Sequence, residues 1–405
     1  MREVVAVSAV RTPIGVFGGA LRSLSAVDLG AMAIKEAIKR AKIQPDMVEY
    51  CVMGQVVSAG SGQVPARQAA LKAGIPDTTP AISVNKVCSS GVKTIDLAAQ
   101  MIQTGRVDIC VAGGMESMSN VPFGIPEMRW GARMGVPHKK ALDLMVYDGL
   151  WCATYNRHMA IHGSEVSKEF NISREEQDKW AVQSQTAASK AIEQGKLKDE
   201  IFPVEIKDRK GRVTVVDADE GPRPNTTLET LAKLPPVFDP EGSVTAGNAP
   251  GINDGGDAVV LMSKEKAEEL GLKPLWTILG YAEVSQDPKY IATVPGLSIK
   301  KVLEQTGYSL DQMDVIEINE AFAAVVLVSA QILGMSEDDM YKRVNPNGGA
   351  IAFGHPIGAT GARIAMTLAY ELRRRGGGIG VCGICSGQAQ GDAMIIKVDP
   401  EEVSN

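Results

Sequence analysis

Two thiols and an imidazole stand where strand and helix patterns meet. Cys88 follows the apolar run Ala81–Val84 and precedes Ser89, Ser90 and Gly91, where a helical pattern opens. Small residues after a nucleophile leave room for a sharp strand-to-helix turn, here with a thiol in the place usually taken by a hydroxyl. The N-terminus of a helix lowers a thiol's pKa and offers backbone N–H groups to an oxyanion. The plainer reading of Cys88 is a buried structural cysteine. His355 lies in the glycine-flanked stretch Gly348–Gly361 and is followed by Pro356. Few side chains surround it, so it is placed for access, and a general base to a thiol is the chemistry that fits. A core imidazole is the alternative. Cys385 ends the strand pattern Gly378–Ile384, on the side of a sheet where α/β sites form. Asn319 and Glu320 close the run Val315–Ile318 just before Ala321-Phe322-Ala323. Asn319 either caps that helix or belongs to a site.

Other chemistries are excluded or weakly supported. Cys382 and Cys385 form one Cys-x-x-Cys with no second pair nearby, which does not make a metal site. No glycine-rich phosphate or dinucleotide fingerprint sits at a strand-to-helix turn. The 405 residues carry 42 Lys+Arg against 48 Asp+Glu, a net charge of −6, which argues against a nucleic-acid binder. No run approaches the ~18 uncharged apolar residues of a membrane helix. Six cysteines without a disulfide pattern fit a reduced, cytoplasmic chain, and the first residues pass directly into a strand pattern, with no leader ahead of it.

These residues need a framework, and the sequence outlines one. Strand patterns at Val4–Val7, Tyr50–Met53, Ala81–Val84 and Val107–Ala112 alternate with helical patterns at Ala26–Arg40, Ala66–Ala73 and Val92–Thr104, which implies a parallel-rich layered sheet. Shifted by about 266–270 residues, the chain repeats itself. Met47–Val52 overlies Met313–Ile318, and Gly91 with its helix and strand overlies Gly361, Ala362–Arg375 and Gly378–Cys382. Two similar α/β halves packed together follow from this. Between them lies a block of different composition, with a helix over Ser173–Gly195 opened by a Ser173/Glu176 capping box. The basic stretch Lys207–Arg212 reads as a solvated turn. The boundaries are 1–118 plus 249–271 for the first half, 119–248 for the insertion and 272–405 for the second half.

Taken together, Asn85–Gly91, Asn319–Ala323, Gly348–Gly358 and Cys385-x-Gly387 resemble the thiolase family, with Ala9–Gly15 and Thr245–Ala249 in support. The resemblance spans nearly the whole chain. It implies duplicated βαβαβαββ halves in a five-layered α/β/α/β/α arrangement, with an inserted loop domain over coenzyme A. It implies Cys88 as the nucleophile that takes the acyl group and His355 as its activator. Cys385 would move the α-proton. Asn319 would hold a water that forms one oxyanion hole with His355, and the N–H groups of Cys88 and Gly387 would form the other. Arg223, His158, Met159, Ala249, Pro250, Ile291 and Phe322 would bind substrate. The implied partners are acetyl-CoA, acetoacetyl-CoA or another 3-ketoacyl-CoA, and coenzyme A, all substrates. No cofactor, metal, nucleic acid or membrane is implied. A loop over Val121–Leu144 would clasp two dimers into a homotetramer.

The chain departs from the family at several points. Pro250 replaces a frequent Ser, Ala160 a usual Gly, Ile291 a frequent bulky Met, and Gln388 and Ala389 stand in a usually glycine-rich run. These changes bear on acyl-chain length. A decarboxylating ketosynthase is disfavoured by Asn319–Phe322 and the second cysteine. A non-catalytic or partner-dependent thiolase-like subunit is the other alternative, and such a protein typically loses the cysteine or histidine kept here.

Overall fold

The computed structural model describes residues 1–131 and 140–403. Its main strands arise from apolar, often β-branched runs: β1 (Val4–Arg11), β2 (Tyr50–Gly54), β3 (Ala81–Val84), β4 (Ile109–Ser117), β5 (Asn253–Ser263), β6 (Trp276–Ser285), β7 (Val315–Ile318), β8 (Gly378–Ser386) and β9 (Gln390–Val398). β4 and β5 are buried along their whole length, so neither has a solvent face, and the polar residues they carry, such as Glu116 and Asp257, are buried with them. The principal helices are α1 (Ala26–Ala41), α2 (Pro65–Lys72), α3 (Ser90–Gln103), α4 (Met159–Glu169), α5 (Arg174–Glu193), α6 (Val294–Thr306), α7 (Ala323–Leu333) and α8 (Thr360–Arg374).

The strands lie in the order β7-β8-β9-β6-β1-β5-β4-β2-β3, with a two-residue strand at Gly15–Val16 paired to β5 as the tenth. The first half runs β1-α1-β2-α2-β3-α3-β4 and closes with β5. The second runs β6-α6-β7-α7-α8-β8-β9. In the second half the counterpart of β3 shrinks to a single parallel bridge from Ile316 to Val344. Helices α3 and α8 both pack on strands of both halves and form the middle layer. Helices α1 and α2 cover the first half, and α6, with α7 beside it, covers the second. Five layers result. The two sheets are more than packed: β1 pairs antiparallel with β6 at Val5–Thr277 and Ala6–Trp276, so one sheet runs through both halves.

Gly91 and Gly361, equivalent in the repeat, meet at the centre. A Cβ on Gly91 would lie 2.5 Å from the backbone nitrogen of Ala362, and one on Gly361 would strike the backbone nitrogen of Val92. Glycine is required here because α3 and α8 touch backbone to backbone beside their N-termini. Gly91→Ala is expected to destabilise the fold by about 1–3 kcal/mol, the usual cost of overpacking. Urea unfolding checks this, and an unchanged midpoint would contradict it.

Among the described residues, the insertion between β4 and β5 holds α4, α5 and three two-stranded sheets. Ser173 and Glu176 cap α5 reciprocally. The Lys207–Arg212 turn is exposed, and Arg212 pairs with Asp208. The insertion is tied to β1 by Arg11, which is buried and bridged by Glu200 at 2.8 Å and Asp219 at 2.7 Å. Of the Val121–Leu144 segment expected to clasp dimers, residues 132–139 lie outside the described residues. Among the described residues no helix is long and apolar enough to cross a membrane, and no group of three or more His, Cys, Asp or Glu is placed to hold a metal ion.

Candidate active site

The turn between β3 and α3 carries Cys88. It is tight enough to force Val87 to φ +46°, a left-handed conformation that a β-branched residue adopts only when its surroundings impose it. Those surroundings are explicit. The Ser90 hydroxyl donates to the Val87 carbonyl (2.7 Å) and accepts from the Lys86 N–H (2.8 Å). Asn85 Oδ1 accepts from the Val87 N–H at 3.0 Å. From the second half, the Ser386 hydroxyl donates to the Lys86 carbonyl. The elbow that presents the thiol is therefore built by both halves.

The N–H groups of Cys88 and Gly387 both face the Cys88 sulfur and pull its pKa down, but burial prevails and pushes it up to about 12, with the Glu116 charge adding to the rise. This corrects the expectation of a lowered thiol pKa at the helix N-terminus. Desolvation of a buried anion outweighs two N–H dipoles here, so the resting group is a thiol.

His355 is its neutral counterpart. Burial first, and then the Arg363 charge, push its pKa down to about 3. Its backbone N–H donates to Asn253 Oδ1 at 2.9 Å. Ring atom Nδ1 lies 2.7 Å from the Thr360 hydroxyl, which itself donates to the Pro356 carbonyl at 3.0 Å. With its one proton committed, that hydroxyl accepts from Nδ1–H, which leaves the lone pair on Nε2. Nε2 is buried and has no partner among the described residues. A neutral imidazole whose Nε2 lone pair is unengaged has the chemistry of a general base.

Asn319 does not cap a helix. The residue at the start of α7 is Phe322, and neither amide atom of the buried Asn319 has a partner among the described residues. Glu320, by contrast, is fully engaged. Its carboxylate accepts from Trp180 Nε1 (3.0 Å), the Ser184 hydroxyl (2.7 Å), Asn345 Nδ2 (3.1 Å) and the Ile351 N–H (2.9 Å). It anchors α5 of the insertion to the second half. The Cys385 thiol is buried and is raised well above the ordinary range, by burial first and by neighbouring Cys88 second.

An apolar cavity of about 450 Å³ opens over Cys88, His355 and Gly387. His158, Met159, Ala249, Pro250, Ile291 and Phe322 stand in its walls. Asn319 and Cys385 are fully buried and do not line it. Arg223 is placed elsewhere: it is exposed, outside the cavity walls, and its backbone N–H is held by Gln185 Oε1 at 2.7 Å. His158 caps α4 through Nδ1 and stacks on Phe238, ring centroids 3.6 Å apart.

Sequence reasoning missed four residues. Phe17 and Phe238 flank the cavity mouth, both exposed. Nothing in the local sequence marks them, although Phe238 takes φ +63°. Thr360 orients His355. Glu116 is wholly buried, and its carboxylate accepts from the N–H groups of Val56 (3.0 Å), Val57 (3.2 Å) and Gly358 (3.0 Å). It thus clamps the loop after His355 onto the first half, and burial raises its pKa to about 7. A charged residue inside the apolar run of β4 was the available signal.

Comparison with known proteins agrees with this geometry. Residues 4–265 match the family model described as thiolase, N-terminal domain, and residues 272–398 match thiolase, C-terminal domain. The chain is 48% identical to an acetyl-CoA acetyltransferase of Syntrophomonas wolfei subsp. wolfei, over 98% of this chain and 99% of the relative. It is 47% identical to an acetyl-CoA acetyltransferase of Cupriavidus necator, over 98% of this chain and 100% of that one. Among solved structures, the crystal structure of the Bacillus anthracis acetyl-CoA acetyltransferase superposes with a TM-score of 0.94 at 42% identity, covering 98% of this chain and 99% of the other.

Proposed function

The chain belongs to the thiolase family, and we propose on that premise how its site joins two acetyl-CoA molecules into acetoacetyl-CoA and coenzyme A, or reverses that reaction. It is an acyltransferase. In the condensing direction the Cys88 sulfur attacks the thioester carbonyl as His355 Nε2 takes the thiol proton. The C–S bond to coenzyme A breaks, and the leaving thiolate takes that proton from His355. The N–H groups of Cys88 and Gly387 receive the oxyanion. Cys385 first gives its thiol proton to His355 and then takes an α-proton from the second acetyl-CoA. The carbanion attacks the acyl group on Cys88, forming the C–C bond, and the released Cys88 sulfur takes the proton back from His355. Asn319, with its unpaired buried amide, suits a water that completes the second oxyanion site with His355. In the thiolytic direction Cys385 protonates the departing enolate, a task for which its raised pKa suits it.

The observation that carries this reading is one cavity lined by Cys88, His355 and Gly387, in which two backbone N–H groups face the Cys88 sulfur and the imidazole keeps an unpartnered Nε2. Residues 1–118 with 249–271, 119–248 and 272–405 are proposed as the two halves and the coenzyme A cover, and four copies in the cytoplasm as the assembly. The exposed side chains of Phe123, Met128 and Trp130 support that assembly. Arg223 is kept as a contact for the nucleotide end of coenzyme A, beyond the cavity itself.

A short acyl group is the proposed substrate. Ile291 and Phe322 belong to the close-packed core as well as to the cavity wall. Thiolysis of acetoacetyl-CoA, followed by the disappearance of its enolate absorbance, is the test. It is expected to run at least about tenfold faster in kcat/KM than thiolysis of a medium-chain 3-ketoacyl-CoA, because extra methylenes must displace that core. Equal rates would mean an open pocket. No cleavage of either by folded protein would overturn the reading.

A further inference from the structure

The turn after Cys385 has an unusual backbone. Gln388 and Ala389 lie at φ +63° and +48°, a conformation that glycine adopts freely and a side chain adopts only under constraint. The Gln388 side chain makes contacts that a glycine could not. Its Oε1 accepts from the Thr154 hydroxyl at 2.7 Å, and its Nε2 donates to Cys152 Sγ at 3.7 Å. Cys152 and Thr154 lie in the hairpin that leads from Trp151 to His158, so the hairpin that brings His158 to the cavity is held by Gln388. The same hairpin is fixed a second time where the Tyr155 hydroxyl donates to Asp287 at 2.8 Å.

Gly387 sits between two anchors. On one side the Ser386 hydroxyl is bonded to the Lys86 carbonyl in the Cys88 elbow. On the other, Gln388 is bonded to the insertion. The N–H between them faces the Cys88 sulfur. We propose that Gln388 is a positioning residue whose side-chain amide clamps the Cys152–Thr154 hairpin to the Gly387 turn and so holds the oxyanion-donating N–H of Gly387 against Cys88. This rests on the reading of Gly387 as an oxyanion donor. Gln388 touches no reacting atom. It replaces conformational freedom with a fixed donor, and a donor fixed before the reaction stabilises the transition state more than the ground state.

The test is a double-mutant cycle with Gln388→Ala and Thr154→Val, and Thr154→Ser as the conservative control. Thiolysis kinetics are measured on the full-length enzyme, with thermal unfolding to verify folding. Each single variant is expected to lower kcat about tenfold with KM within about twofold, a fraction of what loss of a whole oxyanion donor does. The double variant is expected to match Gln388→Ala, because that variant already lacks the bond that Thr154→Val removes. Thr154→Ser, which keeps the hydroxyl, is expected to retain kcat. Unchanged kcat in both singles, effects that multiply, or a loss confined to KM would overturn the proposal. Mass analysis of wild-type enzyme after exposure to acetyl-CoA separates the two levels. An acetylated Cys88 with normal turnover in Gln388→Ala rejects the clamp alone, whereas no acetylation of Cys88 rejects the catalytic reading with it.

Discussion

Cys88→Ser is expected to abolish thiolysis of acetoacetyl-CoA, with kcat lower by roughly 10⁴-fold or more, the scale seen when the nucleophile of a coupled nucleophile–base unit is removed. Sulfur is needed twice, as attacking atom and as leaving group, and a hydroxyl performs the second task poorly. Acetyl label from acetyl-CoA is expected on the wild type and not on the variant. Residual activity above about a hundredth of wild type would place the acyl intermediate elsewhere. The state of the thiol adds a second reading. Burial holds the pKa of Cys88 at about 12 and His355 near 3, so the free enzyme rests as thiol and imidazole. Alkylation of Cys88 by iodoacetamide is expected to rise steadily with pH through 9. A plateau near neutral pH would reveal a standing thiolate–imidazolium pair and contradict this picture.

His355→Gln is expected to lower kcat by about 10²–10⁴-fold, the range for a lost general base. Loss of both half-reactions is expected, since the same Nε2 takes the Cys88 proton and returns it. Thr360→Val tests the tautomer: without an acceptor at Nδ1, the proton is free to occupy Nε2, and kcat is expected to drop while acetyl-CoA binding is kept. Equal activity of His355→Gln and wild type would remove His355 from the mechanism. The same group shapes stability. Its folded pKa lies below its unfolded value, so the unfolded chain binds the extra proton between about 6.5 and 3. Its contribution is present above pH 6.5 and is lost as the pH falls towards 3. His355→Gln is expected to flatten that part of the stability–pH curve, as measured by urea unfolding.

The internal repeat was legible because glycine leaves a mark. Gly91 and Gly361 recur at matching positions because their helices touch, and sequence comparison sees that constraint directly. The elbow at Cys88 was legible from Ser89, Ser90 and Gly91, and the access of His355 from its glycine-rich surroundings. The pairing of β1 with β6 was not legible, since it is made by backbone groups at Val5, Ala6, Trp276 and Thr277 and leaves no side-chain pattern. The thiol's pKa was misjudged because a helix N-terminus shows in sequence whereas the depth of burial does not. Glu116 and Thr360 act through contacts more than 50 residues away or through a single hydroxyl rotor. Asn319 was ambiguous until the start of α7 was fixed at Phe322.

The sheet that runs without interruption through both halves has a consequence for motion. A hinge between the halves would have to break the β1–β6 hydrogen bonds and pull α3 away from α8 at the Gly91–Gly361 contact. A swing of one half against the other is therefore opposed by both contacts. On the proposed reading, Cys88, His355 and Gly387 then keep their places in the cavity wall without a hinge between the halves. The way into the cavity then passes Phe17 and Phe238, the two exposed aromatic rings of its lining, and no swing of one half against the other is needed to reach it.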